Sequence, residues 1–507
     1  MNLYSNEIIE LLQQLDANHV LLENSKEKFT VSMLLQESQI LAANLREEGM
    51  KEKDRIVIAS AMGTEFVKIM FATMMLKCEV AIIDPEMGRE NYKYKLEQFN
   101  PQWVFLDSRI ALLQEHPILR LIYFYWKKVG LYFPRNKNIK KILTGPRLPI
   151  FQTYIPIKKL LQSSGKENIT LHKTEALPYL VTYTSGTLSE PKGVLHTTES
   201  LHESIQLIAA LIRSEQKQIM ATHLPHFMLI AACAGVATKL WGNTWSPKKR
   251  LTFIEEEKIS ILFAPPSEYL ELINYCEKNN RMLPNSLTHV LLGSAPVHQV
   301  FLKRLIKFLP AETRITCLYG MTENLVVTSI DGRKKATMSC AGDPLGYAAK
   351  GLQIKIAADD EILLNSNQLF YRYWHLEKRS EWHPTGDLGY VDATGNLILK
   401  GRKKDMIIRR NFNLYPALYI PTIKEIEGIT DAVLVGKYDE TKADEEVHLF
   451  IESEISLSKK YIRKQLESGP YSIDKEAWPD FIHFKKIPRK GRQQKIDRMV
   501  LMDYLVE

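Results

Sequence analysis

The sequence is poor in cysteine and has no long apolar stretch. Its five cysteines lie far apart among 507 residues and form no CxxC pair, which argues against a zinc site and a disulfide framework and is typical of a reducing cytoplasm. No uninterrupted apolar run reaches the roughly 18 residues that a spanning helix needs. The first residues also lack the basic start and apolar core of a signal peptide. We therefore expect a cytoplasmic protein without a membrane-spanning helix.

Acidic residues are absent from one long segment. Residues 117–166 contain eleven Lys or Arg and no Asp or Glu, although the whole chain carries a net charge of only +8. The run 119–128 combines aromatic and basic residues, which suits a membrane interface, where rings lie at headgroup depth and lysines meet anionic lipid. Two interpretations stay open: a basic surface loop whose rings pack on its own domain, and peripheral contact with the inner face of a membrane. No nucleic-acid-binding motif accompanies the charge, so we expect no nucleic-acid partner.

The chain is too long for a single hydrophobic core, so at least two folding units are expected. Buried strands that alternate with helical patterns are predicted over 54–60, 80–85, 178–183, 259–264 and 289–293. This alternation indicates βαβ units and a largely parallel sheet. Short strands with turn residues around 353–365 and 389–399 predict antiparallel structure instead. A compact α+β tail, with strands near 432–436 and 447–452, is predicted after Gly401.

A loop rich in hydroxyl groups follows the strand predicted over 178–183. Backbone N–H groups freed by glycine, together with hydroxyls and one mobile lysine, are the donors that bind a triphosphate. The order of residues in a Walker loop is absent. The loop therefore predicts a phosphate site of another kind. Its candidate donors are Thr184, Ser185, Gly186, Thr187 and Lys192.

Four further motifs follow this loop in order along the chain. They occupy residues 292–296, 318–324, 384–390 and 401–408. Each is a weak signal alone, but in this order they resemble the adenylate-forming superfamily of acyl-CoA synthetases, luciferases and peptide-synthetase adenylation domains. The resemblance extends roughly from Thr30 to Arg498.

The resemblance implies an α/β fold with two domains. Residues 1–403 would form a large domain of mainly parallel sheets flanked by helices, with a β-barrel-like subdomain. Residues 404–507 would form a small, mobile α+β domain. In this family the small domain rotates about a hinge two residues after a ribose-binding arginine, and that position is Lys404 here.

The resemblance also implies roles for individual residues. Tyr319 would stack on adenine, or alternatively close the sheet as a core tyrosine. Thr322 would contact the α-phosphate, and Glu323 would hold Mg²⁺, which prefers carboxylate and phosphate oxygens; a solvated carboxylate at a helix start is the alternative for Glu323. Asp387 would accept both ribose hydroxyls, with Arg402 on the other side of the sugar. The implied nucleotide site also includes Gly293, Ala295, Pro296 and Gly320.

The run 487–498 resembles the closing motif of the family. There a lysine moves in to neutralise charge at the transition state between the acyl group and the phosphate. Lys495 is the candidate because it precedes an Ile-x-Arg ending, and Lys490 is its rival. An ordinary basic tail is the alternative.

The sequence departs from the family pattern at several positions. Leu188-Ser189 replaces the usual Thr-Gly of the phosphate loop, and Met228 stands where many relatives have histidine at the carboxylate pocket. An apolar methionine suits an apolar acid. Asn411 replaces a glycine where the pantetheine arm passes in CoA-using members, and Gln494 replaces the glycine before the catalytic lysine.

These features predict an enzyme that uses ATP and Mg²⁺ to activate a carboxylic acid, expected to be a medium- or long-chain fatty acid. The acyl-adenylate forms with release of pyrophosphate, and the acyl group then passes to CoA. The run 319–332 looks most like long-chain acyl ligases and olefin β-lactone synthetases. Two other acceptors therefore stay open, an acyl carrier protein and a β-hydroxyl within the substrate. A further alternative is a non-catalytic nucleotide- or lipid-binding protein, which the intact set of motif residues argues against.

Overall fold

Alternating strands and helices make up the first part of the chain, as the sequence pattern predicts. This computed structural model describes residues 2–23, 28–60, 63–85, 89–127, 132, 138–146, 151, 153–162, 170–184, 191–213, 218–222, 224–242, 245–409, 412–439, 444–490 and 495–505. In chain order, the elements up to residue 184 are β1 (Asn2–Ser5), α1 (Glu7–Gln13), β2 (Val20–Glu23), β3 (Lys28–Thr30), α2 (Val31–Glu47), β4 (Arg55–Ala59), α3 (Thr64–Met75), β5 (Glu79–Ile82), α4 (Arg89–Phe99), β6 (Trp103–Asp107), α5 (Ser108–Glu115), α6 (Pro117–Lys127), β7 (Lys140–Thr144), β8 (Ile155–Pro156), α7 (Ile157–Gln162), β9 (Thr170–Lys173) and β10 (Pro178–Tyr183).

The middle of the chain continues this alternation and then changes to consecutive strands. Its elements are β11 (Gly193–Thr197), α8 (Thr198–Ile212), β12 (Ile219–Thr222), α9 (Pro225–Ala234), β13 (Ala237–Leu240), α10 (Pro247–Glu256), β14 (Ile261–Ala264), α11 (Pro266–Lys278), β15 (His289–Leu292), α12 (Gln299–Ile306), β16 (Arg314–Met321), β17 (Asn324–Asp331), α13 (Gly332–Thr337), β18 (Asp343–Ala348), β19 (Gln353–Ile356), β20 (Glu361–Asn365), β21 (Arg372–Tyr373), β22 (His383–Val391) and β23 (Leu397–Arg402).

A 3₁₀ turn, Lys403–Asp405, leads from β23 into the last part of the chain. The elements there are β24 (Ile407–Arg409), β25 (Phe412–Leu414), α14 (Pro416–Lys424), β26 (Ile429–Asp439), β27 (Asp444–Ser453), α15 (Lys459–Glu467), a second 3₁₀ turn (Lys475–Ala477), β28 (Phe481–Phe484), β29 (Arg489–Lys490), β30 (Lys495–Ile496) and α16 (Arg498–Asp503).

The first large sheet has eight strands in the order β21-β11-β10-β5-β4-β6-β7-β8. Neighbouring strands from β10 to β8 run parallel, whereas β11 runs antiparallel to β10. In β4, Ile56 and Ile58 belong to one buried cluster, and Val57 and Ala59 belong to another. Successive side chains of a strand point to opposite faces. Both faces of this sheet are therefore buried, as is usual for parallel strands.

The second large sheet has thirteen strands in the order β19-β20-β22-β23-β18-β17-β16-β15-β14-β12-β13-β2-β3. Strands β2, β13, β12, β14, β15 and β16 are parallel to their neighbours in this series. From β17 to β19 every pairing is antiparallel. The antiparallel structure predicted around 353–365 and 389–399 is thus confirmed. It continues the second sheet.

A separate three-stranded sheet, β26-β27-β28, forms the centre of the C-terminal part. Helices α14 and α15 cover one face around Leu434 and Leu449, and α16 covers the other face around Val435 and Phe450. The α/β fold with a large N-terminal and a small C-terminal part is therefore confirmed. The boundary expected between residues 403 and 404 falls within the first 3₁₀ turn and stays a prediction.

None of the helices in the described ranges is both long enough and apolar enough to cross a lipid bilayer.

Candidate active site

The motif 318–324 lies in a hairpin between two central strands of the second sheet. The sequence suggests that this motif follows a strand, but the structure places Tyr319 and Gly320 inside β16, and Thr322 and Glu323 form the turn to β17. The pairing of β16 with β17 is irregular between Tyr319 and Met321. A Cβ on Gly320 would lie 1.9 Å from the carbonyl oxygen of Leu325. Glycine is therefore required here for the close approach of the two backbones.

Tyr319, Asp387 and Arg402 form one connected group, which we call the carboxylate triad. The Tyr319 hydroxyl donates a hydrogen bond to Asp387 Oδ2 at 2.5 Å, and Arg402 Nε lies 2.6 Å from Asp387 Oδ1. Asp387 and Arg402 come from neighbouring strands β22 and β23, where they are cross-strand partners. The structure thus brings together three residues that the sequence places in three separate motifs.

Burial governs the electrostatics of this triad. Asp387 is only 2% exposed, and its burial raises the pKa of the carboxyl group, while Arg402 and the hydrogen bond from Tyr319 act in the opposite direction. Burial, followed by the nearby Asp387 carboxylate, raises the pKa of Tyr319, so its hydroxyl is a neutral donor. Arg402 is half-exposed and faces the outside. A hydrogen-bonded, ion-paired carboxylate is therefore held just below the surface.

A shallow cleft lies beside the triad. Its volume is ≈ 420 Å³, and its lining residues are Thr385, Gly386, Arg402, Lys403 and Lys404. Gly386 has a φ of +72°, a left-handed conformation that favours glycine. The Thr385 hydroxyl accepts a hydrogen bond from the Asp387 N–H at 3.0 Å and donates to the Ile362 carbonyl at 2.8 Å. The backbone before Asp387 is therefore fixed to β20.

Two ion pairs hold Lys403, which lines the cleft next to the predicted hinge. Lys403 Nζ lies 2.6 Å from Asp359 Oδ2 and 2.8 Å from Glu361 Oε2. The other oxygen of Glu361 accepts a hydrogen bond from the Gly386 N–H at 2.9 Å. Lys404 follows directly within the 3₁₀ turn. The chain is thus anchored to the N-terminal part up to residue 403.

Glu323 is buried in the turn between β16 and β17. Its carboxylate accepts a hydrogen bond from the Tyr373 hydroxyl at 2.9 Å, and its backbone carbonyl accepts one from the Phe370 N–H at 2.9 Å. The alternative of a solvated carboxylate at a helix start is therefore wrong. Lys192 Nζ lies 5.1 Å from the centroid of the Tyr373 ring. Tyr373 thus connects the predicted metal ligand to the phosphate loop.

The backbone of Thr322 is in contact with a histidine that the sequence motifs do not include. His196 Nε2 lies 2.8 Å from the Thr322 carbonyl oxygen, and Ser200 Oγ lies 3.5 Å from His196 Nδ1. Burial lowers the pKa of His196 to about 4, although the contact with Thr322 acts in the opposite direction. The ring is therefore neutral at neutral pH, with its proton on Nε2 to donate to Thr322.

The sequence contains only short local features that could have pointed to His196 and Tyr373. His196 lies three residues after Gly193, at the end of the phosphate motif, and Tyr373 lies in an aromatic run over 370–374. Strand β21, which carries Tyr373, pairs with β11, which carries His196. Both residues therefore reach the Thr322–Glu323 turn from one edge of the first sheet.

The phosphate loop connects β10 and β11, which pair as an antiparallel hairpin. Its two ends are tied together: the Thr184 N–H donates to the Lys192 carbonyl at 3.0 Å, and the Lys192 N–H donates to Thr184 Oγ1 at 3.1 Å. The predicted donors Ser185, Gly186 and Thr187 lie outside the described residues, as do Leu188 and Ser189.

The strand end 292–296 begins against buried apolar side chains. A Cβ on Gly293 would lie 3.4 Å from the Phe263 ring and 3.6 Å from Leu318, the neighbour of Tyr319. Phe263 stacks on Phe227, with 3.6 Å between the ring centroids. Ser294, the next residue, has a left-handed φ of 65°. Beyond it Ala295 is half-buried and Pro296 exposed, whereas Met228 of α9 is buried in the apolar core.

The two candidate catalytic lysines are cross-strand neighbours. Lys490 of β29 pairs with Lys495 of β30 in a small antiparallel hairpin. The hairpin is tied to the C-terminal sheet, because Arg489 forms an ion pair with Asp431 of β26 and Ile496 packs against the cluster around Phe450. The assignment of Lys495 rather than Lys490 stays a prediction. Asn411 and Gln494 lie outside the described residues.

The donors around Glu323 fit a cation that phosphate shares with the protein. Among the described residues, no group of three or more His, Cys, Asp or Glu side chains could enclose a metal ion. Mg²⁺ usually keeps several waters and takes one or two carboxylates together with substrate phosphates. Glu323 is such a single carboxylate, with one oxygen engaged by Tyr373.

Comparison with known proteins finds a family model that matches this chain. The family model described as AMP-binding enzyme matches residues 13–374. The long-chain-fatty-acid–CoA ligase FadD13 of Mycobacterium tuberculosis is 27% identical over 286 residues, which cover 51% of this chain and 55% of that protein. The chain thus spans about half the length of this relative. The mitochondrial medium-chain acyl-CoA ligase ACSF2 of Bos taurus is 21% identical over 470 residues, covering 85% of this chain and 76% of the relative.

A solved structure shows the same fold. The o-succinylbenzoate coenzyme A synthetase MenE of Bacillus subtilis, in complex with ATP and magnesium ion, matches with a TM-score of 0.75 at 19% identity. The match covers 98% of this chain and 99% of the other chain. At this identity the likeness concerns the fold.

Proposed function

Because the chain belongs to the AMP-binding enzyme family, we propose that it is an AMP-forming acid–CoA ligase. The observation that carries the proposal is the carboxylate triad of Tyr319, Asp387 and Arg402 beside the cleft. An aromatic ring, a buried carboxylate and a guanidinium in contact are suited to hold adenine and the two hydroxyls of a ribose. The relatives named as acyl-CoA ligases support the same activity.

The proposed reaction has two steps. A carboxylate oxygen of the acid attacks the α-phosphorus of ATP, the bond to the bridging oxygen of the β-phosphate breaks, and pyrophosphate leaves. The resulting mixed anhydride has AMP as a good leaving group. The sulfur of CoA then attacks the acyl carbon, the thiol loses its proton, and AMP departs. The first step brings together two anions, the acid and ATP, and both steps need their reactants held in a fixed orientation. The protein therefore supplies charge neutralisation and positioning.

The described residues can be assigned to these tasks. We assign the ring of Tyr319 to adenine, and Asp387 and Arg402 to ribose. Thr322 is assigned to the α-phosphate, and the turn that carries it is held by the His196 contact. The hairpin closed by Thr184 and Lys192 would receive the outer phosphates, and Lys495 would approach the reacting phosphate from the C-terminal part.

Glu323 would hold Mg²⁺ in this proposal. When bound there, Mg²⁺ would supply neutralisation of phosphate charge. Tyr373 donates to one oxygen of Glu323 and so orients the carboxylate. The aromatic ring of Tyr373 also lies near Lys192, which keeps the predicted cation of the phosphate loop close to the metal ligand.

We propose a medium- or long-chain fatty acid as the substrate. The stacked rings of Phe227 and Phe263 pack behind Gly293, and an acyl chain placed beside this apolar cluster would be favoured over a second carboxylate. The names of FadD13 and ACSF2 support this class. The o-succinylbenzoate synthetase is similar in fold, and a 2-succinylbenzoate–CoA ligase of Listeria monocytogenes is 28% identical over 275 residues. This aromatic diacid is therefore the main competing substrate class. A cytoplasmic location is also proposed, since all five cysteines are free.

The test is exchange of labelled pyrophosphate into ATP over a panel of acids that includes fatty acids of several lengths and o-succinylbenzoate. We expect exchange with fatty acids, and Asp387→Asn should reduce it. Mass spectrometry of the products with CoA supplied or withheld then identifies the acceptor. An acyl-CoA formed only with CoA supports the proposal, whereas a β-lactone or a strict need for a carrier protein would replace CoA as acceptor. Absence of exchange with every acid would refute the activity.

A further inference from the structure

Helix α6, Pro117–Lys127, turns its apolar side toward solvent. Ile118 is 71% exposed, Leu121 is 55% exposed and Ile122 is 58% exposed. At 3.6 residues per turn these three side chains lie on one side of the helix. Arg120 and Tyr123, on the other side, are half-buried. A surface helix usually turns its apolar residues inward, whereas these described residues of α6 expose theirs.

The exposed side of α6 is a contiguous patch. Leu119 is also exposed, so four large apolar side chains are uncovered within five residues. Single exposed apolar residues are common on protein surfaces, but contiguous patches mark interaction sites. The neighbouring helix α5 packs against the sheet through Ala111, which belongs to a buried cluster. Helix α6 is therefore carried on the outside of the first sheet by a normally packed helix.

The charge of the sequence segment that begins with α6 indicates the kind of partner. The patch lies at the start of the segment 117–166, which has eleven Lys or Arg and no Asp or Glu. A second copy of this chain would bring two such positive segments together, which is unfavourable. An anionic surface would attract the segment. An exposed apolar helix side at the start of a basic segment is the pattern of a helix that lies in a lipid interface.

We propose that α6 docks the protein on an anionic lipid bilayer. The helix would lie in the plane of the membrane, with Ile118, Leu121 and Ile122 at the boundary between headgroups and acyl chains. Its 11 residues are too few to span the bilayer, which needs about 20. The contact is therefore peripheral and reversible. This inference does not depend on the proposed function. An apolar acid substrate would, however, be present in the same membrane to which α6 binds.

The experiment is flotation of the full-length protein with two kinds of vesicle. One kind contains phosphatidylcholine alone, and the other contains equal parts of phosphatidylcholine and phosphatidylglycerol. We expect the protein to float with the anionic vesicles at low salt and to be released at high salt, because screening shortens the reach of the charges. The double variant Ile118→Ser/Ile122→Ser should bind these vesicles roughly tenfold or more weakly, since two large apolar side chains are lost.

Matched controls separate this effect from a general loss of apolar surface. Met282→Ser and Ile455→Ser change side chains that are also more than half exposed but lie far along the chain from 117–166, and they should float like the parent. Leu121→Glu adds a charge that anionic lipid repels, so it should bind more weakly than a serine variant. Circular dichroism of each variant checks that it is folded.

Three results would overturn the proposal. The first is a parent protein that does not float with anionic vesicles at low salt. The second is an Ile118→Ser/Ile122→Ser variant that is folded and floats as well as the parent. The third is a parent dimer in sedimentation velocity that this variant converts to monomer, with vesicle binding unchanged, because α6 would then be a protein interface. Pyrophosphate exchange with a soluble acid, measured on the same variants, keeps the outcome separate from that of the proposed activity.

Discussion

The Tyr319 hydroxyl donates a 2.5 Å hydrogen bond to the carboxylate of Asp387, which is itself buried beneath Arg402. A carboxylate offers about four acceptor positions. Both contacts can therefore persist while two ribose hydroxyls donate to Asp387. In the proposed site Tyr319 then has two separable parts, a ring for the base and a hydroxyl that orients the carboxylate.

Replacing Tyr319 with phenylalanine tests the second part alone. Tyr319→Phe keeps the ring and removes the donor to a buried carboxylate, a hydrogen bond of a type that contributes about 1.5–3 kcal/mol. We expect AMP to bind roughly tenfold or more weakly by isothermal titration calorimetry. Tyr347→Phe, which removes an exposed hydroxyl near Lys334, is the matched control and should bind AMP normally. Equal affinity of Tyr319→Phe and the parent would show that the hydroxyl does not orient Asp387.

The contact between His196 and Thr322 predicts an effect on turnover. His196→Ala leaves the Thr322 carbonyl without its donor, so the Thr322–Glu323 turn should loosen and kcat should fall about five- to tenfold, with a smaller change in KM. His196→Gln retains an N–H donor and should restore part of the rate. His202→Ala, in helix α8 directly after β11, is the control, because His202 is hydrogen-bonded to Gln206 and not to the Thr322–Glu323 turn. An unchanged kcat in His196→Ala would mean that the turn is held without this histidine.

The same histidine predicts a pH dependence of stability. Burial lowers the pKa of folded His196 to about 4, from 6.5 in the unfolded chain. Between these values the unfolded chain binds more protons, so the free energy of unfolding decreases as pH falls below 6.5. The parent should lose about 2 kcal/mol more than His196→Gln between pH 7 and pH 5, measured by urea unfolding. Parallel losses in the two proteins would contradict the buried, neutral state of the ring.

Glu323 predicts a change in metal requirement. Glu323→Gln keeps an oxygen that can accept from Tyr373 but removes the negative charge, so the Mg²⁺ concentration for half-maximal pyrophosphate exchange should rise roughly tenfold. Glu381→Gln, at an exposed glutamate whose contact is Asn365, should leave it unchanged. A titration curve for Glu323→Gln that superimposes on that of the parent would remove Glu323 as the metal ligand.

The paired lysines of the C-terminal hairpin provide their own control. Lys495→Ala should lower pyrophosphate exchange by roughly a hundredfold or more, the cost of removing one group that stabilises transition-state charge. AMP binding should be nearly intact, because the hairpin contacts the C-terminal sheet. Lys490→Ala changes the cross-strand neighbour and should have little effect. The reverse pattern would assign the role to Lys490.

The strands of the fold could be predicted because their signals are local. Strand β4 is a continuous apolar run, and such a run indicates a strand buried on both faces. The motif around Gly320 was harder to place, because glycine usually signals a turn. Here it permits a close approach within β16, which only the position of Leu325 reveals.

Parts of the site could not be predicted because their partners are distant in sequence. His196 and Thr322 are 126 residues apart, and Glu323 and Tyr373 are 50 apart. A histidine or tyrosine gives no local sign of such a partner, since the contact exists only after two sheets have been brought together. Asp387 and Arg402 were predictable as a pair only through their resemblance to known motifs. Their mutual contact follows from the antiparallel register of β22 and β23.

The ion pairs of Lys403 lie directly before the predicted hinge at Lys404. Arg402 is held by Asp387, and Lys403 is held by Asp359 and Glu361. We therefore expect the proposed rotation to begin at Lys404. A reorientation of the C-terminal part at that residue would leave the sugar contacts undisturbed. The same nucleotide could then stay bound while the small domain turns a different face toward it. One set of ribose contacts would serve both the formation of the acyl-adenylate and the formation of the thioester.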